Sequence, residues 1–190
     1  MRSPMVVAYL ASQNKIKIEE AREIIPGIEP LDIELTEIQS PDPAVVVRHK
    51  LHQVAAAGLT KPVLVEDTGL FVHHWRTLPG ALIKWFVEEL GTDRLYQALT
   101  AEGPTAATAV SAVGIVYRDE TGVWQGQTTG RIVRPRGDLG GWTPVFEVGD
   151  TGMTLGEMSF PERMHHTMRA APLRQAVAWL AERQPDRNPS

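Results

Sequence analysis

The chain has 190 residues, of which 43% are hydrophobic and 22% charged, a composition typical of a globular protein with one sizeable core. Its net charge of -4 provides no general basic surface, so we expect no binding to DNA or RNA. The absence of cysteine excludes disulfides, thiolate metal sites and cysteine nucleophiles. The apolar run over 5–10 is too short for a signal peptide or a membrane span, so we expect a cytoplasmic protein that does not bind membranes.

The first half of the chain alternates strand and helix patterns, with polar residues after each strand. Its predicted elements are a strand over 5–10, a helix over 15–25, a strand over 31–35, a helix from the cap Asp42 to Gly58, and a strand over 63–65. This order is typical of an α/β protein with parallel strands. Ligands of such proteins bind at the carboxyl ends of the strands.

The second half of the chain changes to a β-rich pattern. Its predicted elements are helices over 81–90 and 93–99 separated by Gly91, strands over 109–117 and 123–133 joined as a hairpin through 118–122, a loop over 134–144 and a helix over 172–183. These strands are expected to form a second lobe. We therefore expect a single domain of two lobes over 1–184, followed by a polar tail over 185–190.

Two adjacent carboxylates, Glu66 and Asp67, follow the buried strand over 63–65, and the next residues, Thr68 and Gly69, predict a turn. Neighbouring carboxylates repel each other and are costly to bury, so a buried pair needs lysine partners or a divalent cation. Taken alone, the stretch is more typical of an acidic turn in water. The remaining polar residues of the chain must decide between the two interpretations.

Asn14 and Lys17 lie between the first strand and the first helix. The free N–H groups and the dipole of a helix N-terminus favour anions, so this is a candidate anion site. A helix cap and a solvated lysine are the simpler roles for these two residues. Glu37, just after the strand over 31–35, is a candidate third carboxylate for a metal, with a solvated glutamate as the simpler alternative.

Five blocks of the sequence, in their order and spacing, resemble the inosine triphosphate pyrophosphatase family. The blocks are 12–17, Glu37, 65–70, 78–86 and 130–137. Enzymes of this family hydrolyse non-canonical purine nucleoside triphosphates to the monophosphate and pyrophosphate. The resemblance implies an elongated α/β fold with two lobes around a long mixed sheet, an active site in the cleft between the lobes, dependence on Mg²⁺ with Mn²⁺ as a substitute, and a homodimer.

The resemblance also assigns roles to the polar residues of these blocks. The residues implied to bind the triphosphate are Ser12, Asn14, Lys17, Lys50 and Lys84. Glu37, Glu66 and Asp67 are implied to hold the metal, and Asp67 is also implied to be the catalytic base that activates water. Attack of that water on the α-phosphorus would release pyrophosphate as one piece.

The base-recognition segments depart from the family. The residues at the implied base-binding positions are Thr68, Gly140, Trp142, Thr143, Arg163, Met168 and Arg169. Gly140 and Thr143 stand where the family has an aromatic residue and an aspartate, so a stacking ring and a carboxylate are missing. We therefore expect a nucleoside-triphosphate pyrophosphatase for a base other than hypoxanthine or xanthine, such as a bulkier or modified base. The alternative, an inactive nucleotide-binding protein, is disfavoured because the acids and lysines are present.

Overall fold

The structure, a computed structural model, describes residues 8–184. Its strands are β1 (Ala8–Leu10), β2 (Ile28–Pro30), β3 (Val63–Val72), β4 (Pro79–Gly80), β5 (Ala106–Tyr117), β6 (Glu120–Ile132) and β7 (Phe146–Val148). Its helices are α1 (Lys15–Ile24), α2 (Pro43–Ala56), α3 (Ile83–Thr100), α4 (Phe160–His166) and α5 (Ala170–Arg183). The predicted tail over 185–190 and the start of the predicted first strand, 5–7, lie outside the described residues.

The strands form one mixed sheet in the order β2-β1-β3-β5-β6-β7, and the short β4 pairs with β3. β1 runs parallel to β2 and β3, whereas β3, β5, β6 and β7 pair antiparallel along the chain. The sheet therefore combines a parallel half with a long antiparallel half. This arrangement confirms the predicted α/β fold with a central mixed sheet.

Helices cover both faces of the sheet at its parallel end. α2 packs Val47 and Leu51 against Val63 and Val65 of β3, while α1 and α5 pack on Leu64 from the opposite face. A third buried cluster lies towards the other end and joins α3 to β7 and to the ends of β3, β5 and β6. The buried side chains thus form two clusters at the parallel end of the sheet and a third towards its antiparallel end.

Several local signals for helices and turns are confirmed. The carboxylate of Asp42 accepts a hydrogen bond from the Ala44 N–H at 2.8 Å, and α2 begins at the following proline. Gly91, with φ 69°, separates the two predicted helical segments within α3. The predicted hairpin joins β5 to β6 through a tight turn at Arg118 and Asp119, whose φ angles are both positive.

The predicted strand over 31–35 is wrong, because β2 is the shorter and earlier segment that ends at Pro30. The side chains over 31–35 do alternate between half-buried and exposed, as the sequence pattern indicates. Within residues 8–184 these residues belong to no strand, and Leu31 alone keeps a link to the sheet, since its N–H donates to the Leu10 carbonyl of β1 at 2.8 Å. The Gln53 side chain of α2 instead makes two hydrogen bonds to the Thr36 backbone, each 2.8 Å long. A side-chain amide thus takes the place of a neighbouring strand.

The predicted turn at Thr68 and Gly69 is also wrong. β3 runs straight through both residues and pairs them with Ser111 and Val110 of β5. Gly69 is needed for a different reason, since a Cβ atom there would lie 2.9 Å from the Gly80 carbonyl carbon. The glycine therefore permits a close approach between β3 and the chain before α3. As a result, Glu66 and Asp67 lie in the middle of a strand.

No helix within residues 8–184 is both long and apolar enough to cross a membrane.

Gly69→Ala is expected to destabilise the protein by about 1–3 kcal/mol, because the added methyl group would press on the backbone at Gly80. Urea denaturation monitored by circular dichroism measures this loss. Gly58→Ala is the control, because Gly58 has open space around it and only its φ of +65° opposes a side chain. Equal stability of Gly69→Ala and the wild type would contradict the close-approach explanation.

Candidate active site

A cleft with a volume of ≈ 520 Å³ opens beside the middle of β3. It is lined by the loop after β1, the start of α1, the middle of β3, the start of α3 and the loop before β7. Most of the residues predicted from the sequence line it, namely Ser12, Asn14, Lys17, Glu37, Lys50, Glu66, Asp67, Thr68, Lys84, Gly140, Trp142, Thr143 and Arg169. Residues that are distant in sequence thus share one cavity.

Lys50 lies between two of the carboxylates. Its Nζ atom is 2.6 Å from the Glu37 carboxylate and 3.3 Å from the Asp67 carboxylate. Lys50 projects from α2 one turn before Gln53, whose hydrogen bonds to Thr36 hold the chain next to Glu37. The helix therefore supplies both the cation and the clamp that places the first carboxylate beside it.

The three groups of this cluster have shifted pKa values. Burial raises the pKa of Asp67, although the charges of Lys17 and Lys50 oppose the shift. Burial also acts to raise the pKa of Glu37, but the hydrogen bond and charge of Lys50, with Lys84 and Lys17, outweigh it and lower that pKa. Burial disfavours the charged form of Lys50, yet Asp67 and Glu37 raise its pKa above the ordinary value. The surroundings thus favour protonation of Asp67 relative to an ordinary aspartate and favour the charged form of Glu37.

Glu66 belongs to a separate network on the other face of β3. Its Oε1 accepts hydrogen bonds from the hydroxyl groups of Thr68 and Ser111, both 2.7 Å away, and from Arg169 Nε at 3.0 Å. Its Oε2 lies 2.6 Å from Lys17 Nζ in an ion pair. Burial opposes ionisation, but Lys17 and Arg169 outweigh it and lower the pKa of Glu66 far below its ordinary value. Glu66 is therefore a permanent buried anion.

The N-terminus of α1 forms one wall of the cleft. Asn14 caps the helix, since its side-chain oxygen accepts hydrogen bonds from the N–H groups of Ile16 and Lys17 at 3.0 and 3.3 Å. Ser12 supports this turn by accepting a hydrogen bond from the Asn14 N–H at 3.2 Å. Lys84, at the start of α3, is exposed and also lines the cleft. The cleft thus contains a helix N-terminus and an exposed lysine.

Glu37, Glu66 and Asp67 do not form one metal-binding cluster, and within residues 8–184 no three carboxylates or histidines are arranged to hold an ion. Two of the three do fit a cation. Asp67 Oδ2 is buried without a hydrogen-bond partner, and Glu37 lies across Lys50 from it. Mg²⁺ commonly binds one or two protein carboxylates, with substrate phosphates and water as its remaining ligands. Glu37 and Asp67 are therefore the residues here that suit Mg²⁺.

The loop before β7 forms the remaining wall of the cleft. Arg136 anchors this loop through ion pairs to Glu147 at 2.8 Å and Glu157 at 3.0 Å. The indole of Trp142 is mostly buried and packs edge to face on Phe146, with ring centres 5.7 Å apart. A Cβ atom on Gly140 would meet nothing within 4 Å. This wall therefore has open space where the family has a ring.

Two predicted base-binding residues, Arg163 and Met168, do not line the cleft. Arg163 is buried, and its guanidinium pairs with Glu19 at 2.5 Å and Glu20 at 2.9 Å. Met168 is also buried and packs in the third hydrophobic cluster, which joins α3 to β7. Among the predicted residues of this segment, only Arg169 reaches the cleft, where it contacts Glu66, Glu20 and Thr68.

Sequence reasoning missed three residues that hold the site together: Glu20, Gln53 and Ser111. Glu20 and Gln53 each lie three residues after a predicted phosphate lysine on the same helix, a spacing that places them beside Lys17 and Lys50. That spacing is a usable signal. Ser111 carries no such signal, because only the pairing of β3 with β5 brings its hydroxyl to Glu66.

The fold and the cleft together define an α/β protein whose cleft gathers lysines, a helix N-terminus and buried carboxylates. Residues 8–179 match the Ham1 family, and the chain belongs to that family. A relative from Aspergillus fumigatus, named inosine triphosphate pyrophosphatase, is 35% identical over 185 residues, covering 94% of this chain and 97% of the relative. One from Aspergillus oryzae with the same name is 37% identical over 171 residues, covering 85% of this chain and 87% of the relative. The solved structure of the Staphylococcus aureus Ham1 protein has the same fold, with a TM-score of 0.76 at 24% identity, over 93% of this chain and 98% of that chain.

Asp67→Asn is expected to increase the free energy of unfolding at pH 7. The folded protein raises the pKa of Asp67 above 3.8, so between these two pKa values it binds more protons than the unfolded chain does. The free energy of unfolding of the wild type therefore falls as the pH rises through that window. The asparagine variant has no group that titrates at this position, so its free energy of unfolding does not fall for this reason. Urea denaturation between pH 3 and pH 7 is the measurement. The advantage of the variant should shrink on acidification and disappear below an ordinary aspartate pKa of about 3.9.

Asp150→Asn, an exposed substitution outside the cleft, is the matched control and should show no such pH-dependent gain. A loss of stability in Asp67→Asn that is constant with pH would contradict the burial argument.

Proposed function

We propose that this chain is a nucleoside-triphosphate pyrophosphatase, which hydrolyses its substrate to the monophosphate and pyrophosphate. The observation that carries the proposal is the convergence of Lys17, Lys50 and Lys84 on one cleft with the carboxylates Glu37 and Asp67. The names of the Ham1-family relatives, inosine triphosphate pyrophosphatase, support the same reaction.

The charges of the cleft suit a triphosphate. A triphosphate is a compact anion, and the amines of the lysines with the positive end of the α1 dipole would help to neutralise it. Ser12 and Asn14 lie at that helix start, and Lys84 lines the same cleft. The protein as a whole is weakly acidic, so these cationic groups are a local feature and do not suit a polynucleotide.

Asp67 is proposed as the catalytic base. A water molecule beside its carboxylate would lose a proton to Asp67 while it attacks the α-phosphorus, and the bond between the α-phosphorus and the bridging oxygen would break. The raised pKa of Asp67 suits this role, because a base works best when its pKa approaches the working pH. The lysines would hold the departing pyrophosphate.

We further propose that the enzyme uses Mg²⁺, with Mn²⁺ as a substitute. Glu37 and Asp67 would hold the ion, which supplies charge neutralisation at the phosphates and makes bound water more acidic when present. The ammonium of Lys50 now lies between these two carboxylates, so ion binding requires it to move towards the phosphates. Buried Asp67 Oδ2, which lacks a hydrogen-bond partner, supports this assignment.

The proposed substrate has a base other than hypoxanthine or xanthine, bulkier or modified. Gly140 leaves open space, and the Thr143 hydroxyl is engaged with the Gly140 carbonyl at 2.7 Å. Trp142 packs inward on Phe146, so its ring offers little surface for stacking. A larger base would fill this space and recover contact area.

A homodimer and a cytoplasmic location are also proposed. Both rest on the resemblance to the inosine triphosphate pyrophosphatase family. Size-exclusion chromatography with light scattering measures the mass of the particle, and a value equal to the 21.0 kDa of a single chain would contradict the dimer.

Asp67→Asn is expected to bind nucleoside triphosphates yet release pyrophosphate at a rate about 10²–10⁴-fold lower than the wild type, because the base is lost. A coupled pyrophosphate assay measures the rate, and calorimetry measures binding. Asp150→Asn should retain the wild-type rate. A rate for Asp67→Asn within a few-fold of the wild type would contradict the proposed role, and wild-type binding without pyrophosphate release would indicate an inactive nucleotide-binding protein.

A panel of nucleoside triphosphates with natural, bulky and modified bases tests the base preference. The expected result is the highest kcat/KM for a substrate larger than ITP or XTP, because the space at Gly140 is then filled. Pyrophosphate release with Mg²⁺ is the measurement for every member of the panel. Efficient turnover of ITP and XTP with poor activity on all other bases would overturn the proposed preference.

A further inference from the structure

Glu66 and Asp67 are neighbours in sequence but face different surroundings. Successive side chains of a strand point to opposite faces of the sheet, and β3 pairs Glu66 with Val113 and Asp67 with Ala112 of β5. Asp67 thus faces α2 and its Lys50, whereas Glu66 faces α1 and the start of α5, which supply Lys17 and Arg169. The two carboxylates therefore need not share a function.

Each oxygen of the Glu66 carboxylate lies against a cation, although Oε2 accepts no hydrogen bond and is held only by its ion pair with Lys17 at 2.6 Å. Oε1 is shared by the hydroxyl groups of Thr68 and Ser111 and by Arg169 Nε, and Oε2 pairs with Lys17. The side chain is buried, so these partners cannot be exchanged for water at low cost. A divalent cation at Glu66 would have to displace Lys17, or it would bind close to the positive charges of Lys17 and Arg169, which would repel it. This position does not suit a metal ligand.

The two cations held by Glu66 both reach the cleft. Lys17 lies in the first turn of α1, beside the proposed phosphate positions, and Arg169 lies on the side of Thr68. Arg169 is fixed at three points, because it also donates to Glu20 at 3.2 Å and to the Thr68 hydroxyl at 3.0 Å. One buried anion therefore sets the spacing between a lysine and an arginine that face the same ligand.

We propose that Glu66 is a positioning residue, outside the metal site, which couples the phosphate side of the cleft to the base side by holding Lys17 and Arg169 at a fixed separation. Ser111 and Thr68 orient its carboxylate for this task. The inference rests on the proposed function, in that the ligand is a nucleoside triphosphate. It differs from the role in the metal shell that the family resemblance implies for Glu66.

The test combines two variants, Glu66→Gln and Ser111→Ala, with two binding measurements on the full chain. The first is the dissociation constant of Mn²⁺, measured by electron paramagnetic resonance without nucleotide. The second is a ratio of two dissociation constants, both measured by calorimetry. The constant of inorganic tripolyphosphate is divided by that of a nucleotide analogue. The analogue is the α,β-methylene derivative of ITP or of ATP, whichever binds the wild type more tightly. This ratio isolates what the nucleoside adds to binding.

Glu66→Gln is expected to leave the Mn²⁺ constant within about twofold of the wild type and to reduce the ratio by about tenfold or more, because a charged hydrogen bond to Arg169 is lost. Ser111→Ala should change the ratio in the same direction by about threefold, since a neutral hydrogen bond contributes less. If Glu66→Gln does not fold, Ser111→Ala alone decides the outcome. Asp67→Asn should weaken Mn²⁺ binding, because it removes a proposed metal ligand. It is therefore the positive control for the Mn²⁺ measurement.

Ser159→Ala is the matched control, because it also removes a hydroxyl that donates to a glutamate, Glu162, at 2.6 Å but lies outside the cleft. It should change neither measurement. A tenfold loss of Mn²⁺ affinity in Glu66→Gln, or an unchanged ratio in the variants that fold, overturns the inference. If the wild type binds the analogues but releases no pyrophosphate from ITP, ATP or the wider nucleotide panel, the proposed function is wrong. The Mn²⁺ constant and the ratio still decide the role of Glu66 in that case. Failure of the wild type to bind all three probes overturns both.

Discussion

The central constraint on this protein is the pairing of β3 with β5 along its whole length, which places two ionised side chains in the middle of a buried strand. Buried charges are tolerated only when they are paired and hydrogen-bonded. The sheet meets this requirement separately on each face, with Lys50 of α2 beside Asp67 and with Lys17 of α1 beside Glu66. The lysines of α1 and α2 neutralise the two carboxylates of β3, and the same helices line the cleft. The position of the cleft therefore follows from the pairing of these charges.

The same constraint gives neighbouring carboxylates different chemistry. The pKa of Glu66 is lowered by two cations and that of Asp67 is raised by burial, although the two residues are adjacent. Pairs of titratable groups whose surroundings push their pKa values apart are typical of acid and base assignments in enzymes. A fixed anion holds the cations in place, and a more basic carboxylate beside it remains available for proton transfer.

The two sides of the cleft differ in how closely they follow the family. The lysines, the start of α1 and the acids line one cleft, as the family resemblance implies, whereas the wall at Gly140 and Trp142 has open space where the resemblance implies a stacking ring. Chemistry at the phosphates depends on charges in fixed positions, and a change there removes activity. Recognition of the base depends on contact area, which a loop can change without disturbing the buried network. Membership of the Ham1 family and an altered base preference are therefore compatible.

Local signals in the sequence predicted the elements that depend on neighbouring residues, such as the cap at Asp42, the interruption at Gly91 and the hairpin between β5 and β6. The family resemblance also named site residues, and most of those residues do line the cleft. Tertiary structure alone decided that the segment over 31–35 lies outside the sheet, that β3 continues through Gly69, and that Glu66 and Asp67 serve opposite faces. It also brought Ser111 to Glu66. The physical reason is that strand pairing and the burial of charge depend on partners that are distant in the sequence, and no local pattern records them. The hydrogen bond between Glu66 and Ser111, which are 45 residues apart, is an example.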